Sequence, residues 1–131
     1  MLNIVISENP VTKKNHQRIV NIHGHYMVLP SKQYVEYEKA CKKYMPEMEQ
    51  PIDYPVNIKC VYYMPTKRRV DLTNLISATM DILVYHGVLK DDNRNIAYSN
   101  DGSRVFYDKE DPRAEITITE IGEEFESWGK S

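Results

Sequence analysis

The sequence predicts an α/β fold of the α+β kind in one domain, and three observations predict it. The chain has 131 residues, of which 41% are hydrophobic and 27% charged, the size and balance of an ordinary globular domain with one core. Apolar residues recur at steps of three and four over residues 71–86, the signature of a core-facing helix. Short β-prone runs, bounded by Pro, Gly, Asn and Asp, lie on both sides of it.

Taken in order, Leu2-Asn3-Ile4-Val5-Ile6 alternates as a strand and Glu8-Asn9-Pro10 ends it. A polar, basic stretch runs from Thr12 to Arg18. Residues 19–22 and 26–29, around His23-Gly24-His25, then predict a hairpin. Pro30-Ser31 starts a helix with Ser31 as N-cap, running through Tyr34, Tyr37 and Cys41 and ending before Pro46. Residues 47–55 are a Pro-bearing connector, and residues 56–64 are strongly β-prone.

On the long helix, Leu72, Leu75, Ile76, Thr79, Ile82, Leu83 and His86 share one apolar stripe, while Asp71, Asn74, Ala78 and Asp81 step along its flank. Asp71 is the acidic cap and Gly87 the stop. Val88-Leu89-Lys90-Asp91-Asp92-Asn93 makes an acidic turn, residues 96–98 a short strand, and Asn100-Asp101-Gly102-Ser103 a tight turn leading into residues 104–107. Residues 114–119 alternate as the last strand. The expected division is a domain over residues 1–119 and an acidic tail over 120–131, which carries Phe125 and Trp128.

Two cysteines are too few for a disulfide framework or a zinc site, and the four histidines make no ligand pattern. His86, on the stripe, is expected to make one hydrogen bond at the core edge. With no apolar run near 20 residues and no signal-type start, the expectation is a cytoplasmic protein without a membrane partner. The net charge of −2 argues against a purely electrostatic nucleic-acid binder, but it hides a division. Residues 1–70 carry eleven Lys/Arg against six Asp/Glu, and residues 71–131 six against thirteen. The crossover falls inside Lys67-Arg68-Arg69-Val70-Asp71. Cations beside carboxylates suit a metal-dependent enzyme acting on a polyanion, because cations hold phosphates while hard oxygens hold the metal.

The chemistry therefore centres on Arg68-Arg69-Val70-Asp71-Leu72-Thr73-Asn74 and Gly87-Val88-Leu89-Lys90-Asp91-Asp92-Asn93. A helix of about 15 residues, roughly 22 Å, separates Asp71 from the Asp91-Asp92 pair. They meet only if the loop folds back or a second subunit contributes.

These stretches resemble the RusA-type Holliday-junction resolvases, small bacterial and phage endodeoxyribonucleases, through Arg68, Arg69, Asp71, Asn74, Asp81, Leu83, Gly87, Val88, Asp91 and Asp92 in order. Asn9-Pro10 with Lys13, Lys14, Asn15 and Arg18, and Pro30-Ser31-Lys32 with Tyr34, are similar to the family's opening. The resemblance implies a mixed β-sheet with two main helices packed on it, a homodimer, and cleavage of four-way DNA junctions in recombination and repair, with a phage or prophage flavour. It implies Mg²⁺, with Mn²⁺ as a substitute and no small-molecule cofactor, held by the catalytic Asp71, Asp91 and Asp92. Thr73 and Asn74 would orient a ligand or water, and Lys13, Lys14, Arg18, Lys67, Arg68 and Arg69 would contact DNA phosphates. Two positions depart from the family: its second aspartate is Thr73 here, and its lysine is Ser77. A branched-DNA-binding protein without cleavage, and a small-molecule phosphohydrolase with a closed pocket, are the competing readings.

Overall fold

The computed structural model describes residues 1–13 and 18–122. Its strands are β1 (Leu2–Ile6), β2 (Arg18–Ile22), β3 (His25–Leu29), β4 (Val56–Met64), β5 (Ala97–Ser99), β6 (Arg104–Tyr107) and β7 (Arg113–Glu120), with helices α1 (Lys32–Ala40) and α2 (Leu72–Tyr85). The main sheet has the order β1-β7-β4-β5, and β6 also pairs with β4. β1 and β4 each run antiparallel to β7, whereas β5 and β6 run parallel to β4, so the sheet is mixed as expected.

Alternation decides the faces. Ile4 and Ile6 of β1, Val56, Ile58, Cys60 and Tyr62 of β4, and Ala114, Ile116 and Ile118 of β7 are buried on one side, where both helices pack. Ser31 caps α1 by accepting from the Tyr34 amide at 3.1 Å, and α1 lays Tyr34 and Tyr37 into the core before a short 3₁₀ turn, Cys41–Tyr44, carries the chain to Met45. Asp71 caps α2, and Gly87, with φ of 76°, takes the left-handed conformation that lets the Val88 amide return to the Leu83 carbonyl at 2.9 Å.

Two expectations need adjustment, on the flank of α2 and at the end of the last strand. Ala78, placed on the flank of α2, is 1% exposed, and Met80, outside the expected stripe, is also buried. Both belong to the core cluster with Tyr34, and farther along the same flank Lys13 pairs with Asp81 and lies 5.8 Å from the centre of the Tyr34 ring. The tight turn expected at Asn100–Ser103 is present, and it joins two strands that both run parallel to β4 and form one interrupted edge. Side chains replace the ladder there: the Asn57 carboxamide oxygen accepts from the Asp101 amide and the Ser99 hydroxyl, Asn100 Nδ2 donates to the Ile58 carbonyl at 2.9 Å, and the Cys60 amide donates to Ser103 Oγ at 3.0 Å. β7 extends through Glu120, and the Ile121 amide donates to the Pro55 carbonyl. Lys14, His16, Phe125 and Trp128 lie outside the described residues.

α2 is tied to the sheet by one buried polar contact as well as by packing. The Tyr62 and Thr79 hydroxyls are 2.6 Å apart, and Thr79 donates to the Leu75 carbonyl, so Tyr62 is left as donor to Thr79. Tyr62→Phe should therefore lower stability by about 1–2 kcal/mol, the cost of a buried acceptor left without its donor. Urea unfolding measures it, and an unchanged midpoint would mean that packing alone holds the helix.

Candidate active site

Asp71 stands where the chain leaves the C-terminal end of β4 and enters α2. Its Oδ1 accepts from the Thr73 amide at 2.9 Å and from Thr73 Oγ1 at 2.6 Å, so the position expected to orient a ligand first fixes the cap. Immediately before it, Lys67, Arg68 and Arg69 are all exposed. Lys67 Nζ lies 5.1 Å from the centre of the Tyr107 ring, and the two arginines line a cleft of about 280 Å³ with Thr12, Gln33 and Thr66. Thr12 and Gln33 were not singled out from the sequence. They lie on other segments, and only the fold brings them to the arginines.

Lys13 takes a distinct position. Its ammonium pairs with Asp81 at 3.1 Å, both side chains being partly exposed. Asp81 is four residues past Ser77, hence its neighbour on the helix surface. A cation delivered from the N-terminal loop therefore stands beside the residue at which the family lysine is missing. Arg18, at the start of β2, is exposed, and Asn74 is half-buried on the flank of α2.

The acidic turn is elsewhere. After α2 the chain is pinned to the beginning of β4: the Ile52 amide donates to the Val88 carbonyl, the Lys90 amide to the Ile52 carbonyl, and the Val56 amide to the Ile96 carbonyl. Asp91 and Asp92 are exposed there. Asp91 Oδ1 accepts from the Asp92 amide at 2.7 Å and Oδ2 from Asn93 Nδ2 at 3.2 Å. The amide bond first, then the side-chain bonds, hold the Asp91 carboxyl below the usual carboxylate range, so it stays an anionic oxygen ligand into mild acid. Asp53, Lys90, Asp91 and Asn95 line a shallow cavity of about 330 Å³ at this end.

The loop does not fold back. α2, about 21 Å long for its 14 residues, separates Asp71 from the acid pair. Among the described residues, no three His, Cys, Asp or Glu side chains gather closely enough to hold a metal. The oxygen donors are of the type Mg²⁺ prefers, but one chain does not assemble them.

The histidines match expectation where they are described. His86 Nε2 donates to the Glu38 carbonyl at 2.7 Å, joining α2 to α1, while His23 sits in the hairpin turn and His25 opens β3. Both thiols are buried, and desolvation pushes Cys41 up to about 12 and Cys60 up to about 11, so neither is a nucleophile at neutral pH. No helix among the described residues is long and apolar enough to cross a membrane.

Compared with known proteins, the chain matches the sequence model of a family described as endodeoxyribonuclease RusA over residues 8–119. No curated protein matches it. The matched span contains the basic stretch, both helices, the acidic turn and nearly all of β7. The chain belongs to the RusA endodeoxyribonuclease family, whose members resolve Holliday junctions.

Proposed function

We propose that this protein is a Mg²⁺-dependent endonuclease that cuts four-way DNA junctions as a homodimer in the cytoplasm, with Mn²⁺ as a substitute metal. The observation that carries the reading is Asp71 at the start of α2, directly behind the exposed Lys67-Arg68-Arg69, inside the span shared with the family. A junction presents two symmetry-related strands, which a twofold dimer matches. The separation of Asp71 from Asp91 and Asp92 gives the dimer a second purpose: Asp71 of one copy and the acid pair of the other would form each site.

In that site Asp71, Asp91 and Asp92 would be the anionic oxygen donors, and Asn74 would orient a ligand or water. Mg²⁺, when bound, supplies a Lewis acid that stabilises charge on phosphate oxygens. Lys13, Lys14, Arg18, Lys67, Arg68 and Arg69 neutralise backbone phosphates and hold the strand, a contact indifferent to base sequence. Lys13 also places its charge on the flank of α2 beside Ser77. Thr73 and Ser77 favour a second reading, a junction-binding protein without cleavage. Incubation with a synthetic four-way junction, with and without Mg²⁺ or Mn²⁺, separates the two: binding without any cut in either metal selects the second.

A mixing experiment tests the shared site. Asp71→Asn and Asp92→Asn should each abolish cleavage while junction binding persists, and the first should keep its stability because Asn caps a helix about as well as Asp. Mixing the two inactive chains restores one intact site in each mixed dimer, so about a quarter of wild-type sites should return. No recovery, with exchange of chains demonstrated, places the site within one chain.

Arg68→Ala with Arg69→Ala should weaken binding to junction and duplex alike and reduce the slope of log affinity against log salt by about 0.9 for each lost phosphate contact. Affinity unchanged from low to high salt would remove these arginines from the DNA surface.

The family departures give a third expectation. Thr73→Asp with Ser77→Lys should raise Mg²⁺-dependent cleavage or lower the Mg²⁺ needed for it, since it adds a hard oxygen donor and a cation on the flank shared by Asp71 and Asp81. A slower double variant means that Thr73 and Lys13 belong to a differently tuned site.

A further inference from the structure

The cleft of about 280 Å³ beside Asp71 holds more chemistry than a phosphate can use. Arg68 and Arg69 supply its charge, and Val70, which also lines it, runs directly into Asp71. Among the described residues no acid lines it. Val11 and Gln33 form a wall shared with a larger cleft of about 520 Å³, which carries Glu8, Glu36 and Asp111 and no cation. An anion approaching this part of the surface is therefore directed to the arginine side.

Phosphate accounts for the guanidinium groups but not for the rest of the lining. Pro10, Val11, Met64 and Val70 give the cleft apolar walls, and Gln33, exposed at the start of α1, brings a carboxamide with both donors and an acceptor. Thr12 is 4% exposed, and its hydroxyl has no hydrogen-bond partner among the described residues. A buried hydroxyl without a partner costs free energy, which a hydrogen-bonding ligand atom would recover. A phosphate oxygen has no use for an apolar wall or for an acceptor. A nucleobase uses both, since it has apolar faces and an edge of donors and acceptors. The volume is at the small end of ligand sites, about 300–1,000 Å³, so it admits one base with its phosphate and not a stacked base pair.

We propose that this cleft is a pocket for one unstacked nucleotide, in which Arg68 and Arg69 hold the phosphate while Gln33 and Thr12 bond the edge of the base. The pocket deepens the proposed function and rests on it only for the source of the nucleotide, a DNA strand rather than a free mononucleotide. Within paired DNA the base edge is taken and the faces are covered, and extruding a base is least costly where it is already unpaired. A branch point lowers that cost, so the pocket gives a preference for junction over duplex that phosphate attraction alone does not supply. Gln33 and Thr12 are then specificity-determining residues that stand outside the carboxylate set.

The test uses the full-length protein without divalent metal, so that nothing is cut. Its affinity is measured for a fully paired duplex, for one with a single bulged nucleotide, and for the same bulge lacking its base. Wild type should bind the bulged duplex about tenfold more tightly than the abasic one, the worth of one captured base. Gln33→Ala and Thr12→Val should each bring those two affinities within about threefold, leaving the paired duplex and its salt dependence unchanged because neither removes a charge. Thr12→Val should also melt no lower than wild type, since a methyl of the same shape replaces an unsatisfied hydroxyl. Equal affinity of wild type for bulged and abasic duplexes overturns the pocket. So does an equal weakening of all three duplexes by the variants, which would make Gln33 and Thr12 general backbone contacts. A Thr12→Val protein that melts lower shows a hydroxyl already satisfied within the fold and overturns the role of Thr12; Gln33→Ala, at an exposed helix position where alanine is well tolerated, decides the pocket even then. Free deoxynucleoside monophosphates that displace the bulged duplex as well as DNA does make the cleft a mononucleotide site and overturn the assignment to DNA. Junction cleavage together with equal binding of bulged and abasic duplexes removes the pocket and leaves the nuclease reading, whereas base preference without cleavage in any metal leaves the pocket and removes the nuclease.

Discussion

The parallel pairing of β4 with the β5–β6 edge governs the rest of the molecule. Strands that run the same way cannot be joined by a tight turn, so the chain must cross back over the sheet before pairing again. Here α2 is that crossover, lying on the face where Val56, Ile58, Cys60 and Tyr62 point inward. The segment leading into α2 must then sit at the C-terminal end of β4, and the segment leaving it at the N-terminal end. Asp71 and the Asp91-Asp92 turn are separated by that topological necessity, and no side-chain rearrangement on one chain closes a gap the length of the helix. A site needing all three carboxylates must be made by two chains.

The same topology sorts the charge. The cations of the C-terminal half are partly consumed within the fold: Arg113 bonds Asp108 and Glu115, reaches Asp111 at 3.5 Å, and stacks 3.7 Å above the Tyr63 ring on the open face of the sheet. Its guanidinium is thereby neutralised locally. Lys67, Arg68 and Arg69 instead leave β4 as an exposed run that ends at the helix cap, and the positive end of the α2 dipole adds to them. Positive charge thus gathers at the Asp71 end, while at the other end Asp91 and Asp92 stand beside the exposed Lys90 and Arg94.

Much of this was legible in the sequence because it is set locally. Asp71 and Gly87 mark the ends of α2, Ser31 marks α1, and strict alternation over residues 114–119 marks β7. Each is a statement about neighbours within four residues. The illegible parts depend on partners far along the chain. Asn100-Asp101-Gly102-Ser103 reads as a turn by its chemistry, but whether a turn reverses the chain or interrupts an edge is decided by Asn57, Ile58 and Cys60 more than 40 residues earlier. The partner of Asp81, Lys13, comes from a loop 68 residues away. Likewise the spacing between the acidic motifs fixed the length of the helix between them, not whether the loop beyond it returned. The nuclease chemistry came from ordered motifs rather than from composition, which by net charge pointed away from DNA.

The departure at Thr73 has a physical consequence at the cap itself. A carboxylate at position 73 would stand close to the side chain of Asp71 and repel it, and a bound cation would be needed to hold the two together. Thr73 removes that repulsion. Its amide and hydroxyl both donate to the same Asp71 oxygen, so the helix start is ordered by hydrogen bonds internal to the chain. The cap no longer needs a metal for its geometry, but it offers one fewer anionic donor, so a hard cation must draw more of its shell from water or from the partner's acid pair. Under the proposed two-chain reading, the substitution would leave more of the site's assembly to the second copy's Asp91 and Asp92 than to local sequence.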